Sequence, residues 1–195
     1  MRATALIAAL ALSSVVAADT ILEEGFEGSW LPSGWEQYNQ GGVSDYDWEQ
    51  YDQYVQYGTY CAHHGYDYNV NCMDWLVTPQ LDLTGSIAAS ITFQQKQGAS
   101  EYYEYTGVWV STGSGDPDDG DFVELAQVQM ESGEDEYTWY ERSYDLDGFL
   151  GEQVYIAFYF DDQGSSGTRW DIDEVLVATE MSLNESTWGS IKAVY

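Results

Sequence analysis

Beyond residue 18 no stretch of this chain keeps a helical period for three turns, whereas period-two alternation recurs along most of it. That contrast confines the chain to an all-β fold. Ser86–Gln95 alternates, and so do Gly107–Thr112, Asp121–Gln129, Tyr137–Tyr144, Gln153–Phe160 and Trp170–Val177. Between them stand turn signals: Leu83-Thr-Gly85, the Gly/Asp/Pro run over 113–120, Asp145-Leu-Asp-Gly148 and Gln163-Gly-Ser-Ser-Gly167. With segments around 20–26, 55–62 and 73–78 this makes about ten strands, rich in the Tyr, Val, Ile, Trp and Phe that pleated surfaces favour. Many strands, Gly/Asp turns and no helices predict an antiparallel sandwich. The absence of an internal repeat argues against a propeller or solenoid. In the last strand, alternation puts Asp173, Val175 and Val177 on one face and Trp170, Ile172 and Leu176 on the other.

The two ends differ from the middle. Met1-Arg2 is followed by a small apolar run, Ala3 to Val16, and Val16-Ala17-Ala18 supplies small residues at −3 and −1. Residues 1–18 therefore read as a secretory leader cleaved before Asp19, with an uncleaved anchor as the alternative. The run is too short for a stop-transfer helix, and the longest later apolar stretch, Val154–Phe160, is of strand length. The mature chain is expected outside the cell or at its surface, with no membrane insertion. One domain is expected over 19–180. Within 181–195, Trp188, Ile191 and Val194 recur every three residues behind Ser186-Thr187, which suits a short terminal helix or a docking or sorting segment. Asn184-Glu-Ser186 is formally a glycosylation sequon.

Charge narrows the partners. Asp and Glu number 34 against 5 Lys and Arg, a formal net charge of −29. Nucleic acid and anionic lipid are excluded as partners, because both are bound through clustered Lys and Arg. An acidic chain of this kind suits cation binding or salty surroundings. Cys61 and Cys72 are the only cysteines, and in an oxidising compartment they are expected to form one disulfide. The alternative is a metal site of Cys61, His63, His64 and Cys72, whose spacing matches no common zinc pattern. With the disulfide, His63 and His64 read as exposed loop residues.

Four pieces in order carry a family resemblance: Glu24-Gly-Phe-Glu-Gly28 with Leu31-Pro-Ser-Gly-Trp35, Asp45-Tyr-Asp-Trp-Glu-Gln50, Asp74-Trp-Leu-Val-Thr-Pro-Gln-Leu81, and Trp170-Asp-Ile-Asp-Glu-Val-Leu-Val177. Over about residues 21–178 the chain resembles the cleaved-adhesin family, also called choice-of-anchor J, of secreted bacterial surface proteins. It is also similar to the MAM domains of animal receptors, but Cys61 and Cys72 do not follow their disulfide pattern. The resemblance implies a jelly-roll β-sandwich, no catalytic activity, structural calcium, and adhesion to a glycan or a surface protein. By the same resemblance Glu27 and Asp173 are the matched acidic positions.

The residues give a separate reason to expect calcium. A carboxylate at Asp173 in a central strand has to be paired or metal-bound, and cations are scarce: beyond the leader only Lys96, Arg142, Arg169 and Lys192 exist. Glu27, Asp45 and Asp47 are the other candidate ligands for an ion that takes six to eight oxygens. The Asp116–Asp121 run lacks the EF-hand spacing and reads as a hairpin turn.

For function, a non-catalytic recognition module is expected. Tyr46, Trp48, Tyr51, Tyr54, Tyr57 and Tyr60, then Tyr66 and Tyr68, then Tyr102, Tyr103 and Tyr105 cluster beside polar groups, as sugar-stacking or interface aromatics do. A second reading is a structural subunit of an extracellular assembly that self-associates through the tail. A glycoside hydrolase is disfavoured: Asp171-Ile-Asp173-Glu174 has Val175 and Leu176 where the last Glu of a laminarinase-like strand should stand.

Overall fold

The computed structural model describes residues 16–42, 46–65, 70–99, 105–162 and 169–182. It is a sandwich of two antiparallel six-stranded sheets. The strands are β1 (Val16–Glu24), β2 (Glu36–Asn39), β3 (Glu49–Tyr51), β4 (Cys61–His64), β5 (Met73–Val77), β6 (Leu81–Asp82), β7 (Ser86–Gly98), β8 (Tyr105–Ser111), β9 (Val123–Gln127), β10 (Tyr140–Asp145), β11 (Gln153–Asp161) and β12 (Arg169–Ser182). The first sheet runs β10-β7-β12-β4-β3, with β1 sharing the β4 side of β12. The second runs β2-β5-β11-β8-β9, with β6 on β11. The expected all-β sandwich is the fold observed. Its strands exceed the expected number because β2, β3 and β6 are too short to show a period.

Alternation explains the core. From β5, β8 and β11, Leu76, Val108, Val110, Ile156, Phe158 and Phe160 point between the sheets and meet Ile91 and Phe93 of β7. Aromatic landmarks of the sequence knit this core. Trp35 stacks on Phe158 (6.5 Å), Phe158 meets Trp170 edge-on (5.9 Å), and Trp170 packs on Trp48 (5.5 Å). Burying rings of this size is the main favourable contribution to the fold.

Strand β12 departs from strict alternation. A register shift against β7 lies between Asp173 and Leu176, and Glu174 takes φ 51°. This bulge turns Val175 and Val177 inward beside Trp170 and Ile172, while Asp171 and Asp173 face outward; the expected face assignment is corrected accordingly.

At the ends, β1 crosses the expected cleavage point: Val16, Ala17 and Ala18 pair with Ser182, Met181 and Glu180. Residues 1–15 and the tail from 183, sequon included, lie outside the described residues. On β10, Arg142 closes on Glu134 (2.6 and 2.9 Å), and that hydrogen-bonded pair holds the Glu134 carboxyl below its usual range. Glu134→Gln is expected to cost about 1.5–3 kcal/mol at neutral pH, the range for a hydrogen bond to a charged group. Because the folded pKa lies below the unfolded one, this contribution is complete above the ordinary Glu range and fades as pH falls through the folded value. Urea unfolding of both proteins should therefore show a gap at pH 7 that narrows in acid.

Candidate functional site

The outward carboxylates of β12 and Glu27, just beyond β1, hold one loop, residues 52–60. Asp173 accepts the N–H of Gln56 (3.3 Å), Tyr57 (3.1 Å) and Glu174 (2.8 Å). Burial pushes its carboxyl up to about 6 against those donors. Exposed Glu27 accepts the N–H of Thr59 (2.8 Å) and Tyr60 (2.9 Å), and both lower its pKa. Gly58, at φ +69°, lets the loop pass: a Cβ there would stand 2.1 Å from Glu27 Oε1. Residues 55–60 are thus a loop and not the expected strand, because side-chain carboxylates take the N–H groups a ladder would use.

Of the expected calcium ligands that are described, Glu27, Asp47 and Asp173, not all are gathered at one point. Glu27 and Asp173 grip the same loop. Asp47 lies at the opposite end of β3, with its Oδ1 accepting from Asn39 (3.2 Å) beside Asp74. Asp45 lies outside the described residues. Among the described residues no group of three or more His, Cys, Asp or Glu side chains is placed to hold a metal ion. In the 113–120 loop, Asp116 caps a short 3-10 turn by accepting from Asp118 N–H (2.9 Å), in keeping with a turn.

Lys96 and Arg169 go to Asp171, which the sequence presented only as part of a disfavoured hydrolase-like strand. Its Oδ1 meets His63 Nδ1 (2.5 Å), and its Oδ2 meets Lys96 Nζ (3.1 Å) and Arg169 Nη2 (2.7 Å). Burial works to raise the Asp171 pKa, but His63, Lys96 and Arg169 hold it below the usual carboxylate range. Lys96 also donates to the Tyr54 carbonyl and lies 4.5 Å from the Trp139 ring centroid, so the cluster clamps the 52–60 loop to the sheet. His63 and His64 are therefore buried β4 residues and not exposed loop residues. His64 faces the opposite way and meets Asp74 at 2.8 Å under Phe160.

The expected Cys61–Cys72 disulfide is not formed. Cys61 shares the outward face of β4 with His63, where burial and the nearby Asp171 carboxylate push its thiol up to about 12. Cys72 belongs to the core between the sheets. Two thiols on opposite faces of a sheet lack the geometry of a bridge.

The second sheet carries a different surface. The alternate residues of β5, β8 and β11, which point away from the core, form a second apolar cluster around Trp75, Val77, Ala157 and Tyr159. Trp75 stacks on Tyr159 (4.2 Å), and Trp109 meets both edge-on (5.7 and 6.1 Å). Gly107, opposite Tyr159, leaves room for the Tyr105 ring: a Cβ there would stand 2.3 Å from the Tyr105 hydroxyl. Trp75 and Tyr159 are themselves buried, and Tyr38, Tyr105, Trp109, Phe122 and Tyr155 are half-buried around them. Polar groups edge it. Tyr105 donates to Glu124 (2.6 Å), Trp109 to the Tyr105 hydroxyl (3.0 Å), Tyr159 to Asp161 (3.1 Å), and Trp75 to Gln40 (2.9 Å). Of the tyrosine clusters named from sequence, only Tyr105 joins this face; Trp48 is core, and Tyr66, Tyr68, Tyr102 and Tyr103 lie outside the described residues. The readable signal was different: Trp75, Trp109, Tyr155 and Tyr159 recur at alternate positions of three central strands.

No protein-family model and no curated protein sequence matches the chain. Solved structures do. The K3 cleaved adhesin domain of Lys-gingipain from Porphyromonas gingivalis is 18% identical with a TM-score of 0.62, over 83% of this chain and 99% of that one. The K1 cleaved adhesin domain of the same protein is 21% identical with a TM-score of 0.61, over 84% and 97%. The CBM22-1 xylan-binding domain from Paenibacillus barcinonensis is 12% identical with a TM-score of 0.58, over 86% and 98%. At these identities the likeness is one of fold: the jelly roll expected from the resemblance is present, and cleaved-adhesin domains are among its neighbours.

Proposed function

We propose that the chain is an exported, non-catalytic recognition module that binds a glycan on the outer face of its second sheet. The observation that carries this is the half-buried set Trp109, Tyr105 and Tyr38, packed on the buried pair Trp75 and Tyr159 and edged by side-chain carboxylates and an amide. Sugar rings stack on such faces and hydrogen-bond to such edges. A structural neighbour described as xylan-binding and others described as adhesin domains support a binding role on this fold. The carboxylates that resembled a hydrolase strand are engaged otherwise: Asp171 with His63, Lys96 and Arg169, Asp173 with backbone N–H groups. Among the described residues no helix is long and apolar enough to cross a membrane.

A glycan array followed by titration calorimetry tests the reading. A bound oligosaccharide whose affinity falls in Trp109→Ala by about 30-fold or more, the scale of a hot-spot aromatic, supports it. Binding untouched by that substitution removes the second sheet from consideration.

Calcium remains a proposal resting on the resemblance. An ion at the expected position would use Glu27 and Asp173 with oxygens of the 52–60 loop. Melting in EGTA and then in calcium at fixed salt decides it. At about 100 times the dissociation constant the ion stabilises by about 2.7 kcal/mol. An upward shift lost in Asp173→Ala supports the site, and an unchanged melting temperature rejects it.

A further inference from the structure

The charge around the aromatic platform selects among glycans. The six strands of the second sheet contain no Lys or Arg. The described cations belong to the first sheet, where Lys96 and Arg169 contact Asp171 and Arg142 contacts Glu134. Acid groups, by contrast, stand at both ends of the platform. One row across the sheet runs Glu36, Val77, Ala157, Trp109, Glu124 by direct cross-strand pairing. The adjacent row holds Tyr38, Trp75 and Tyr159, with Asp161 accepting from Tyr159. Asp118 reaches the Trp75 edge through Gln40 (2.7 Å). Burial and Glu36 push the Tyr38 phenol up, and burial and Asp161 do the same to Tyr159.

Aromatic faces attract cations through their quadrupoles, and carboxylates add a longer-range pull that salt screens. A uronate or sulfated sugar would be repelled by the same groups. We infer that the ligand of this face is a cationic glycan, an oligomer of 2-amino-2-deoxyhexose with free amines, whose rings stack on the half-buried Trp109, Tyr105 and Tyr38, which pack on buried Trp75 and Tyr159, while its ammonium groups meet Glu36 and Glu124. This rests on the glycan reading above and specifies its ligand.

Titration calorimetry at one ionic strength, below the pKa of the sugar amine, compares three probes: hexameric glucosamine, hexameric N-acetylglucosamine and hexalysine. The glucosamine oligomer is expected to bind at least about tenfold tighter than its acetylated form, since one ion pair of about 1.4 kcal/mol is tenfold. Glu36→Gln with Glu124→Gln should bring the two sugars within about threefold of each other, chiefly by weakening the glucosamine oligomer. Trp109→Ala should weaken both. Equal binding of the two sugars in the native protein overturns the cationic class while leaving a glycan site in place. Glucosamine binding that survives Trp109→Ala undiminished means capture by the overall charge and overturns the inference. Hexalysine bound as tightly, and weakened equally by Trp109→Ala, makes the ligand a basic peptide and overturns it too. If no sugar binds at all, here or on the array, the glycan reading falls with it.

Discussion

Asp171→Ala is expected to lower the unfolding free energy by about 3–5 kcal/mol, the scale for removing one partner of a buried ion pair. Lys96, with its side chain 2% exposed, then keeps its charge in the sheet without the carboxylate it contacts at 3.1 Å. Burial already lowers the Lys96 pKa, so the variant is expected to leave that amine neutral at a lower pH than the native protein does. The loss extends to the loop above. Lys96 and Trp139 both donate to the Tyr54 carbonyl, and Tyr54 lies under Arg169 (4.5 Å). Urea unfolding gives the magnitude. Hydrogen exchange locates it: the N–H groups of 56–60 should exchange faster, while those of β11 follow only the global change. Asp171→Asn should cost less, because the amide oxygen still accepts one hydrogen bond in the same place. A change under about 1 kcal/mol in Asp171→Ala would mean the cluster is solvated and does not hold the loop.

What sequence reasoning reached follows from how local each cause is. Alternation along β7, β8 and β11 is a property of single segments, and so the sandwich was legible. The bulge at Glu174 is not local. It exists only against the partner strand β7, and without it Asp173 was placed with Val175 and Val177. The inference that a buried Asp173 needs compensation was sound, but the compensation is three backbone N–H groups, two from residues more than a hundred positions away. Two of the scarce cations, Lys96 and Arg169, meet a different carboxylate, Asp171, two residues earlier on the same face. His63 and Cys61 misled together: a disulfide across the segment would have made its histidines surface residues, whereas β4 is a buried strand with one thiol facing out and the other, Cys72, in the core. The aromatic face is not legible from the tyrosines crowded in sequence, since only Tyr105 among those described belongs to it. Rings that gather on a sheet face come from separate strands at alternate positions, and only the strand order β5-β11-β8 brings Trp75, Tyr159 and Trp109 together.

Strand β12 separates stability from recognition, and its inward face gives the second large effect. Trp170 is fully buried, packed between Trp48 and Phe158, with its indole N–H on Gln95 Oε1 (3.1 Å). Trp170→Ala removes the ring and leaves a cavity in a core that other rings fill, at an expected cost of about 3–5 kcal/mol. For a chain of this size that corresponds to a fall in melting temperature of about 6–20 °C. Trp170→Phe keeps most of the packing but leaves the Gln95 oxygen without its donor, so a smaller cost of about 1–3 kcal/mol is expected. The two variants together divide ring volume from the hydrogen bond. Because the proposed glycan face lies on the other sheet, each variant that remains folded at low temperature should titrate its ligand within about threefold of the native affinity. Trp109→Ala should reverse the pattern: it sits at a half-buried edge of the second cluster, so its melting temperature should move less than that of Trp170→Ala while its binding falls. A Trp170→Ala protein that is folded yet no longer binds would place the recognition surface on the first sheet, around Tyr54 and Tyr137, which are 60% and 55% exposed there.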